Sequence, residues 1–325
     1  MPNYQGVWSL TTQMQNRTDW PTFVPDRGLF AAGYSDAVAG YKNIIDFINI
    51  GTLGNATDFG DLTNAPYQPG GCANTTRGIF AGGELGGDFS YARVNVIQYV
   101  TMGTEGNASD FGDLTAVNRG PAGSANDTRG LFSAGYTSSN VKLDVIQYIT
   151  IASTGNATDF GDCTEAVRYP SALSSTTRSV RGGGAEGNDN NPSNVMDYVT
   201  IASTGNATDF GDLSAGKSQL AACASSTRGL FGGGYTNTGQ NVIEYITIGS
   251  TGNVTDFGDL LATRYQGASV SSKLRGVFAG GTSETNVIEY VTIASTGNSQ
   301  DFGDLTQSRY GLNIGNVAQS HGGIA

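Results

Sequence analysis

Histidine, lysine and cysteine are scarce in this chain of 325 residues, and each shortage excludes a class of function. A single histidine, His321, argues against histidine-rich zinc or copper sites and against a Ser-His-Asp triad. Only four lysines and a net charge of −11 argue against nucleic acid or an anionic bilayer as a partner. The cysteines, Cys72, Cys163 and Cys223, follow neither a disulfide nor a metal spacing, so we expect small buried apolar side chains.

Long apolar runs are also missing. No stretch is apolar enough to span a membrane, and residues 1–5 lack the basic and apolar regions of a signal peptide. We therefore expect no membrane insertion, and nothing in the composition requires a cofactor or a metal. Proline contributes 8 residues and glycine 48, and the glycines follow no collagen period. This composition favours many turns and an all-β fold.

Two short motifs recur six times, in step with each other. Arg-Gly, which is Arg-Ser in the fourth copy, begins at Arg27, Arg77, Arg129, Arg178, Arg228 and Arg275. Asp-Phe-Gly-Asp begins at Asp58, Asp110, Asp159, Asp209, Asp256 and Asp301. Two motifs with a common period of about 50 residues indicate six structural repeats from residue 27 onward.

Each repeat predicts four strands. In residues 119–162, a run of small residues is followed by Arg-Gly and an apolar segment, then by a β-branched and aromatic segment, then by Asp-Phe-Gly-Asp. Asn, Asp, Ser and Gly separate these segments, as turns require. Four short strands in about 50 residues are typical of a β-propeller blade.

The repeats resemble the Kelch family. A small pair such as Gly82-Gly83 follows the second strand, and an aromatic residue such as Tyr99 lies in the third, whereas Phe stands near the position of the Kelch Trp. The resemblance implies a six-bladed Kelch-like β-propeller with four antiparallel strands per blade. The first copy lacks its own first strand, so we expect the C-terminal residues 316–325 to supply it and to close the ring. A seventh blade built partly from residues 1–26 is the alternative.

Residues present in every repeat favour structural roles, since a catalytic site needs different residues that converge once. We expect each repeated arginine to bond an aspartate of Asp-Phe-Gly-Asp, and the repeated Gly-Asn pairs to form turns. We expect no enzyme. A glycan-processing, sialidase-like site with a tyrosine nucleophile is the remote alternative.

The loops between second and third strands vary in length, whereas the turns between third and fourth strands are nearly invariant. Loops that vary in length on a rigid scaffold are typical of recognition sites. Tyrosine and arginine are residues that stack on sugars and contribute strongly to protein interfaces. The loops before each first strand lie on the same face. The candidate ligand or partner site is Tyr34, Tyr41, Phe89, Tyr91, Arg119, Arg168, Tyr169, Tyr235, Arg264, Tyr265, Arg309 and Tyr310. Alternatively, these side chains cap the ends of the blades.

Residues 1–26 lie outside the repeats and form a candidate docking segment with Trp8, Leu10 and Trp20, or else a segment folded back on the domain formed by residues 27–325. Gly6-Val7-Trp8-Ser9-Leu10 and Trp20-Pro21 resemble the opening of tail-associated proteins of tailed, notably marine, bacteriophages. Arg-Gly-Leu-Phe and Thr-Gly-Asn-Ala-Thr-Asp-Phe-Gly-Asp-Leu are similar to propeller proteins of such phages.

That resemblance implies a virion protein, made in the host cytoplasm and released by lysis. A tail-fibre or appendage module that recognises a host-surface polysaccharide is one expectation, with Tyr169→Ala and Tyr265→Ala abolishing attachment. A structural adaptor or decoration subunit is the other, in which residues 1–26 dock onto other virion proteins and their deletion prevents incorporation. A homo-oligomer is compatible with both.

Overall fold

The computed structural model describes residues 26–86, 91–186, 191–282 and 285–324. These residues form 28 strands and no helix, so the described part of the chain is all-β, as the composition predicts. The proposed docking residues Trp8, Leu10 and Trp20, and also Phe89 of the candidate site, lie outside the described residues.

The strands follow one another in this order. In the first two repeats they are β1 (Arg27–Ala31), β2 (Tyr34–Ser35), β3 (Gly40–Tyr41), β4 (Ile44–Asn49), β5 (Thr57–Asp61), β6 (Pro66–Tyr67), β7 (Gly70–Ala73), β8 (Arg77–Ala81), β9 (Glu84–Leu85), β10 (Ala92–Arg93), β11 (Val96–Thr101) and β12 (Ser109–Asp113). In the third and fourth they are β13 (Ala122–Ala125), β14 (Arg129–Ser133), β15 (Leu143–Thr150), β16 (Thr158–Val167), β17 (Ser171–Ser174), β18 (Arg178–Gly182), β19 (Val195–Thr200) and β20 (Thr208–Asp212). In the last two they are β21 (Ala221–Ala224), β22 (Arg228–Gly232), β23 (Gln240–Thr247), β24 (Thr255–Arg264), β25 (Ala268–Ser271), β26 (Arg275–Ala279), β27 (Val287–Thr292) and β28 (Gln300–Asp304).

Five of the six repeats form four-stranded antiparallel sheets in which strands adjacent in sequence pair. Their orders are β7-β8-β11-β12, β13-β14-β15-β16, β17-β18-β19-β20, β21-β22-β23-β24 and β25-β26-β27-β28. The first repeat contributes the three-stranded sheet β1-β4-β5, without a first strand of its own. The prediction of four antiparallel strands is therefore confirmed for the other five repeats. Two small sheets, β2-β3 and β6-β9-β10, lie outside this pattern.

The first strands are made of small residues because they pack against one another. They contact each other in chain order, β7, β13, β17, β21 and β25, and β25 contacts β1. A Cβ atom added at Gly123 would overlap the backbone of Gly71 in the neighbouring first strand. The small residues are therefore a consequence of close backbone approach.

The C-terminal tail lies among these first strands. Ile314 and Gly315 form parallel bridges to Gly70 and Gly123. The N–H of Leu29 in β1 donates to the carbonyl oxygen of Val317 at 2.8 Å. The tail thus bonds the edge of β1 at which the first repeat has no strand of its own, through isolated bridges and not a regular ladder.

Each arginine of the Arg-Gly motif joins its repeat to the next one. Its guanidinium lies 4.4–5.0 Å from the centre of the third-strand aromatic ring, and its Nη1 donates to a backbone carbonyl oxygen just after the third strand of the following repeat at 2.8–3.1 Å. Among the described residues, no ion pair joins these arginines to an Asp-Phe-Gly-Asp aspartate. The expected Arg–Asp bond is wrong: each guanidinium stacks on the aromatic ring and donates to the carbonyl instead, and Arg27 also pairs with Glu105 at 3.0 Å.

The Asp-Phe-Gly-Asp motif meets the Gly-Asn turn of the following repeat. Its glycine has φ between +141° and +151°, and an added Cβ would collide with the backbone of that turn. The turn asparagine accepts the N–H of the second aspartate at 3.0–3.1 Å, for example Asn107 from Asp61 and Asn55 from Asp304. The predicted turn role of the repeated asparagines is therefore confirmed.

The three cysteines are free and buried, as their scattered spacing predicts. Burial raises the pKa of each of the three thiols well above its usual range. Such thiols remain protonated and behave as small apolar side chains.

Candidate functional site

The two ends of the sheets differ in shape. Because the strands are antiparallel, the loops between second and third strands share one end with the connections from each repeat to the next. We call this end the loop face, and the opposite end, which carries the tight turns, the turn face. Most of the candidate residues predicted from the sequence belong to the loop face, where β2-β3 and β6-β9-β10 extend two of the loops.

The connections between repeats bond to one another at the centre of the loop face. Each contains one residue with positive φ, and these residues are Gln68, Gly120, Tyr169, Gln219, Gln266 and Gly311. The backbone N–H of one such residue donates to the carbonyl oxygen of the next at 2.8–3.0 Å, in the order Gly120, Gln68, Gly311, Gln266, Gln219 and Tyr169. These bonds hold the six connections in fixed positions, so the neighbouring side chains start from a rigid base.

Four tyrosines on this base make successive ring contacts. The ring centres of Tyr91 and Tyr41 are 6.5 Å apart, those of Tyr41 and Tyr34 are 5.4 Å apart, and those of Tyr34 and Tyr310 are 5.7 Å apart. We call these four residues the tyrosine row. Tyr91 is 72% exposed, and the other three are partly buried. The row is the largest group of partly accessible aromatic rings that the described residues place together.

Tyr67 lies beneath the row. Its ring contacts Tyr41 and Tyr310 at 5.9 and 6.0 Å, and its hydroxyl donates to Oε1 of Gln266 at 2.9 Å. Burial raises the pKa of the Tyr67 phenol, and burial followed by the negative charge of Glu84 raises that of Tyr41 to about 12. Both phenols are therefore protonated at neutral pH and can donate hydrogen bonds.

Glu84 links the row to two arginines. Its carboxylate lies 2.7 Å from Nη1 of Arg119 and 3.5 Å from Nε of Arg93. The Arg119 guanidinium stacks 4.8 Å from the centre of the Tyr67 ring, and that of Arg93 stacks 4.3 Å from Tyr136. These cations therefore hold the tyrosines in place, and their charge is partly balanced by Glu84.

Tyr169 is not a surface residue. It is only 5% exposed, and its ring lies 5.1 Å from that of Tyr136, to which its hydroxyl is hydrogen-bonded. The guanidinium of Arg168 lies 5.6 Å from the centre of the Tyr169 ring. The sequence places Tyr169 on the loop face correctly, but its ring is packed inward against Tyr136, so direct ligand contact by Tyr169 is a wrong expectation.

Arg264 and Arg309 are also buried, at 5% and 0% exposure. Arg264 pairs with Glu289, and Arg309 pairs with Asp46 at 2.8 Å. Burial lowers the pKa of each guanidinium, and the neighbouring carboxylate opposes that change. These two arginines neutralise buried acids and do not reach a ligand, which corrects the sequence-based assignment.

The pairs follow a rule that can be read across the repeats. Where the third strand carries a buried acid, a cation faces it, as Lys217 faces Glu244 at 2.9 Å and Arg181 faces Asp197 at 2.6 Å. Where that position is Gln98 or Gln147, no such cation is present, and the residue at the place of Lys217 is Pro66 or Asn118. A buried charge without a partner is costly, so acid and cation occur together.

Tyr235 and Tyr265 form a separate pair on the loop face. Their ring centres are 4.9 Å apart with the planes tilted by 51°, and both residues are partly buried. No ring contact joins them to the tyrosine row within the described ranges. The structure thus divides the predicted tyrosines into a row, an isolated pair and the buried Tyr169.

The site predicted from the sequence omits four residues that shape this surface, Tyr67, Glu84, Arg93 and Tyr136. Glu84 and Arg93 sit at opposite ends of the longest loop, 84–95, with opposite charges, and that spacing is the signal that could have identified their pairing. The inward position of Tyr67 and Tyr136 depends on neighbouring repeats and has no comparable local signal.

The described residues include no group of three or more His, Cys, Asp or Glu placed to hold a metal ion. In the same part of the chain, no helix has the length and apolar character needed to cross a bilayer. No protein-family model matches the chain, and no curated protein matches it.

Proposed function

We propose that the chain is a six-bladed β-propeller that binds a host-surface glycan through its loop face, as a tail-fibre or appendage module of a bacteriophage virion. The observation that carries the binding proposal is the tyrosine row, where one exposed ring and three partly buried rings lie on a rigid base. Tyrosines combine an apolar ring with a hydroxyl, which suits sugars.

Contacts between the last and first repeats support a closed ring of six blades. Nη1 of Arg275 donates to the carbonyl oxygen of Ile50, as each earlier arginine does to the following repeat. Asp304 bonds to Asn55 in the same way that Asp61 bonds to Asn107. In the proposed Kelch-like ring, the C-terminal tail takes the place of the first strand of the first blade.

The virion assignment rests on the sequence resemblance to phage tail-associated proteins. In this proposal residues 1–26 attach the propeller to other virion proteins, and the loop face points away from the particle. The acidic surface, with a net charge of −11, suits an environment in which salt screens repulsion between the protein and an acidic cell surface.

The experiment is binding of the purified protein to a panel of bacterial surface polysaccharides. The double variant Tyr91→Ala/Tyr41→Ala removes two accessible rings. The control is the double variant Thr154→Ala/Thr296→Ala, which changes two exposed residues of the turn face. We expect the first variant to lose binding and the second to retain it. Because Tyr41 packs on Tyr34 and Tyr67, the first variant should melt at a somewhat lower temperature while still unfolding cooperatively. Equal binding by both variants would refute recognition through the row.

A structural adaptor is the second candidate, and the repeated turn face favours it. Equivalent polar grooves of about 170 and 160 Å³ occur in the sixth and third repeats, lined by Thr296, Gly297 and Asn298 and by Thr154, Gly155 and Asn156. A repeated surface of this kind suits a repeated partner. In that case, loop-face variants would assemble into particles and infect normally, and deletion of residues 1–26 would prevent incorporation.

A further inference from the structure

Leucine replaces a polar residue at two positions of the turn face, and both belong to the junction between the last and first repeats. Leu274, directly before Arg275, is 72% exposed, and Leu53, directly before a Gly-Asn turn, is 55% exposed. The equivalents of Leu274 are Thr76, Thr128, Thr177 and Thr227, and those of Leu53 are Glu105, Thr154, Thr204, Thr251 and Thr296. Within the described ranges, these two are the exposed large apolar side chains of the turn face. An exposed leucine is ordinary, but two at one junction of a repeated surface indicate a role that the other junctions lack.

A pocket of about 330 Å³ opens at this junction. Its wall includes the fully buried Ile50, the exposed Leu274 and Gly51, which lies two residues before Leu53. Arg275 also lines the pocket and joins the two repeats, since its Nη1 donates to the carbonyl oxygen of Ile50 at 3.0 Å. Ligand pockets begin at about 300 Å³, so this one suits one or two side chains of a partner.

Leu53 leaves the junction without an acid that the next junction has. Between the first and second repeats, the equivalent residue Glu105 pairs with Arg27 at 3.0 Å. Arg275 is the equivalent of Arg27, and in the described part of the chain no carboxylate pairs with it. The guanidinium of Arg275 stacks 4.8 Å from the centre of the Tyr290 ring. Its positive charge is therefore not balanced by an acid at the pocket that it lines.

Lys273 adds a second cation to the pocket. It is one of four lysines in the chain, it is exposed, and its ammonium group joins no carboxylate among the described residues. The equivalent residues in other repeats are Thr75, Asp127, Thr176 and Ser226. Among the described residues that line the pocket, Asp26 is the one acid, and it accepts a hydrogen bond from Ser320. Two cations and one acid attract a carboxylate, although the chain as a whole carries a charge of −11.

The pocket also lies where the proposed docking segment joins the repeats. Asp26 lines the pocket, and residues 1–25 directly precede it in the chain. Six residues span at most about 21 Å, so a protein bound to Trp20 is within that distance of Asp26. A protein that holds residues 1–26 is therefore brought close to this pocket.

We propose that this junction is a docking surface for the virion protein to which residues 1–26 attach, and that it takes a segment of that protein with an apolar side chain and a carboxylate. We call Ile50, Leu53, Lys273, Leu274 and Arg275 the seam patch. The apolar side chain packs against Leu274 and Ile50, and the carboxylate pairs with Lys273. The inference rests on the proposed attachment through residues 1–26. Because the patch occurs once per chain, it fixes one orientation of the protein on the particle.

The first experiment uses the purified full chain and the dye anilinonaphthalene sulfonate, an apolar anion like the expected segment. We expect one saturable site, with an affinity that falls about fivefold as salt rises to roughly 0.5 M, because salt screens the charge of Lys273. Lys273→Ser/Leu274→Thr, which restores the residues of the fifth repeat, should weaken binding about tenfold. Val141→Thr, at an exposed apolar residue of the loop face, is the matched control and should bind normally. Equal dye binding by the double variant and the wild type would overturn the site.

The second experiment measures incorporation of the same variants into phage particles. The double variant should be incorporated about tenfold less than the wild type, with unchanged glycan binding, and Val141→Thr should be incorporated normally. Normal incorporation of the double variant, with incorporation lost on deletion of residues 1–26, would overturn the seam patch and leave the proposed attachment intact. Absence of the wild-type chain from particles would overturn both.

Two other occupants of the seam patch give distinct results. A wild-type chain that dimerises in light scattering, beside a monomeric double variant, would assign the patch to a second copy and overturn the virion partner. A wild-type chain that binds no dye, but gains a site in Trp20→Ser/Phe23→Ser, would assign the patch to the chain's own N-terminal segment and overturn it equally. Absence of dye binding in every variant would exclude an apolar anion from the pocket and reject the proposal.

Discussion

Arg309 and Asp46 form an ion pair in which both side chains are fully buried, with Nη2 of the arginine 2.8 Å from Oδ2 of the aspartate. The residues are separated by 263 positions and belong to the last and first repeats. Nη1 of Arg309 also donates to the carbonyl oxygens of Ala32 and Ile44. One side chain thus links the end of the repeat array to its beginning.

Arg309→Met should lower the free energy of unfolding by about 3–5 kcal/mol, because it leaves the Asp46 carboxylate buried without its cation. Asp46 also accepts hydrogen bonds from Thr306, so its position does not relax easily. Urea denaturation measures the change. The double variant Arg309→Met/Asp46→Leu should recover most of the loss, and a double variant no more stable than the single one would contradict this account.

The tail should be required for a stable fold. Deletion of residues 313–325 removes the hydrogen bond from Leu29 to Val317 and the one from the Ala31 N–H to Oδ1 of Asn313, which leaves the edge of β1 unpaired. We expect a cooperative thermal transition at least 10 °C lower, or none. Deletion of Ala325 alone is the control. A transition unchanged by the long deletion would refute the role of the tail.

Gly123→Val should prevent folding or cost several kcal/mol, since a side chain there would collide with the backbone of Gly71. Gly103→Val is the matched control. An added Cβ at Gly103 meets nothing within 4 Å, and its φ is not positive. Comparable yields of soluble, cooperatively unfolding protein from both variants would contradict tight packing of the first strands.

His321 should make stability depend on pH. Its Nε2 lies 2.8 Å from the carbonyl oxygen of Ala73, and its Nδ1 accepts the N–H of Gly323, an arrangement that requires the neutral ring. Burial lowers the pKa of His321, whereas the Ala73 bond and the charge of Asp127 oppose the change. The unfolded chain therefore binds a proton first, and stability falls as pH drops below about 6.5.

The expected slope is at most about 1.4 kcal/mol per pH unit, measured by urea denaturation between pH 7.5 and 5.5. His321→Gln, which cannot titrate, should be less stable at pH 7.5 and should show a flatter profile in this window. A profile with the same slope in both proteins would assign the pH dependence to other groups.

Substitution of Tyr91 should affect glycan binding without affecting stability, whereas substitution of Tyr169 should affect stability. Tyr91→Ala should leave the melting temperature within about 1 °C, because the side chain is 72% exposed. Tyr169→Ala should destabilise the protein by about 3 kcal/mol, since it removes a ring packed on Tyr136 and its hydroxyl bond. Loss of glycan binding by a fully stable Tyr91→Ala protein is the informative result, and a destabilised one would contradict the surface position of Tyr91.

Local patterns in the sequence predicted much of the structure. Phased motifs gave the number of repeats, and turn residues separated the four strands of each. Runs of small residues such as Gly70-Gly71-Cys72-Ala73 marked the first strands of the repeats. These features are predictable because strand period, turn chemistry and residue size act over a few positions and then recur six times.

The site was predicted less well, because accessibility depends on neighbours far away in sequence. Arg264 and Tyr265 are adjacent, yet the first is buried against Glu289 and the second reaches the surface. The repeated arginines likewise contact a carbonyl in the next repeat instead of an aspartate. Nothing within one repeat distinguishes these outcomes.

The sequence by itself therefore determined an all-β chain of six repeats and the strands within them. It also determined at which end of the sheets the loops vary in length. Tertiary structure alone decided which tyrosines join in a row, which cations are consumed by buried acids, and where the tail lies. The reason is physical. Secondary structure follows from local sterics and hydrogen bonding, whereas charge pairing, aromatic contact and exposure depend on residues brought together from distant repeats, such as Arg309 and Asp46.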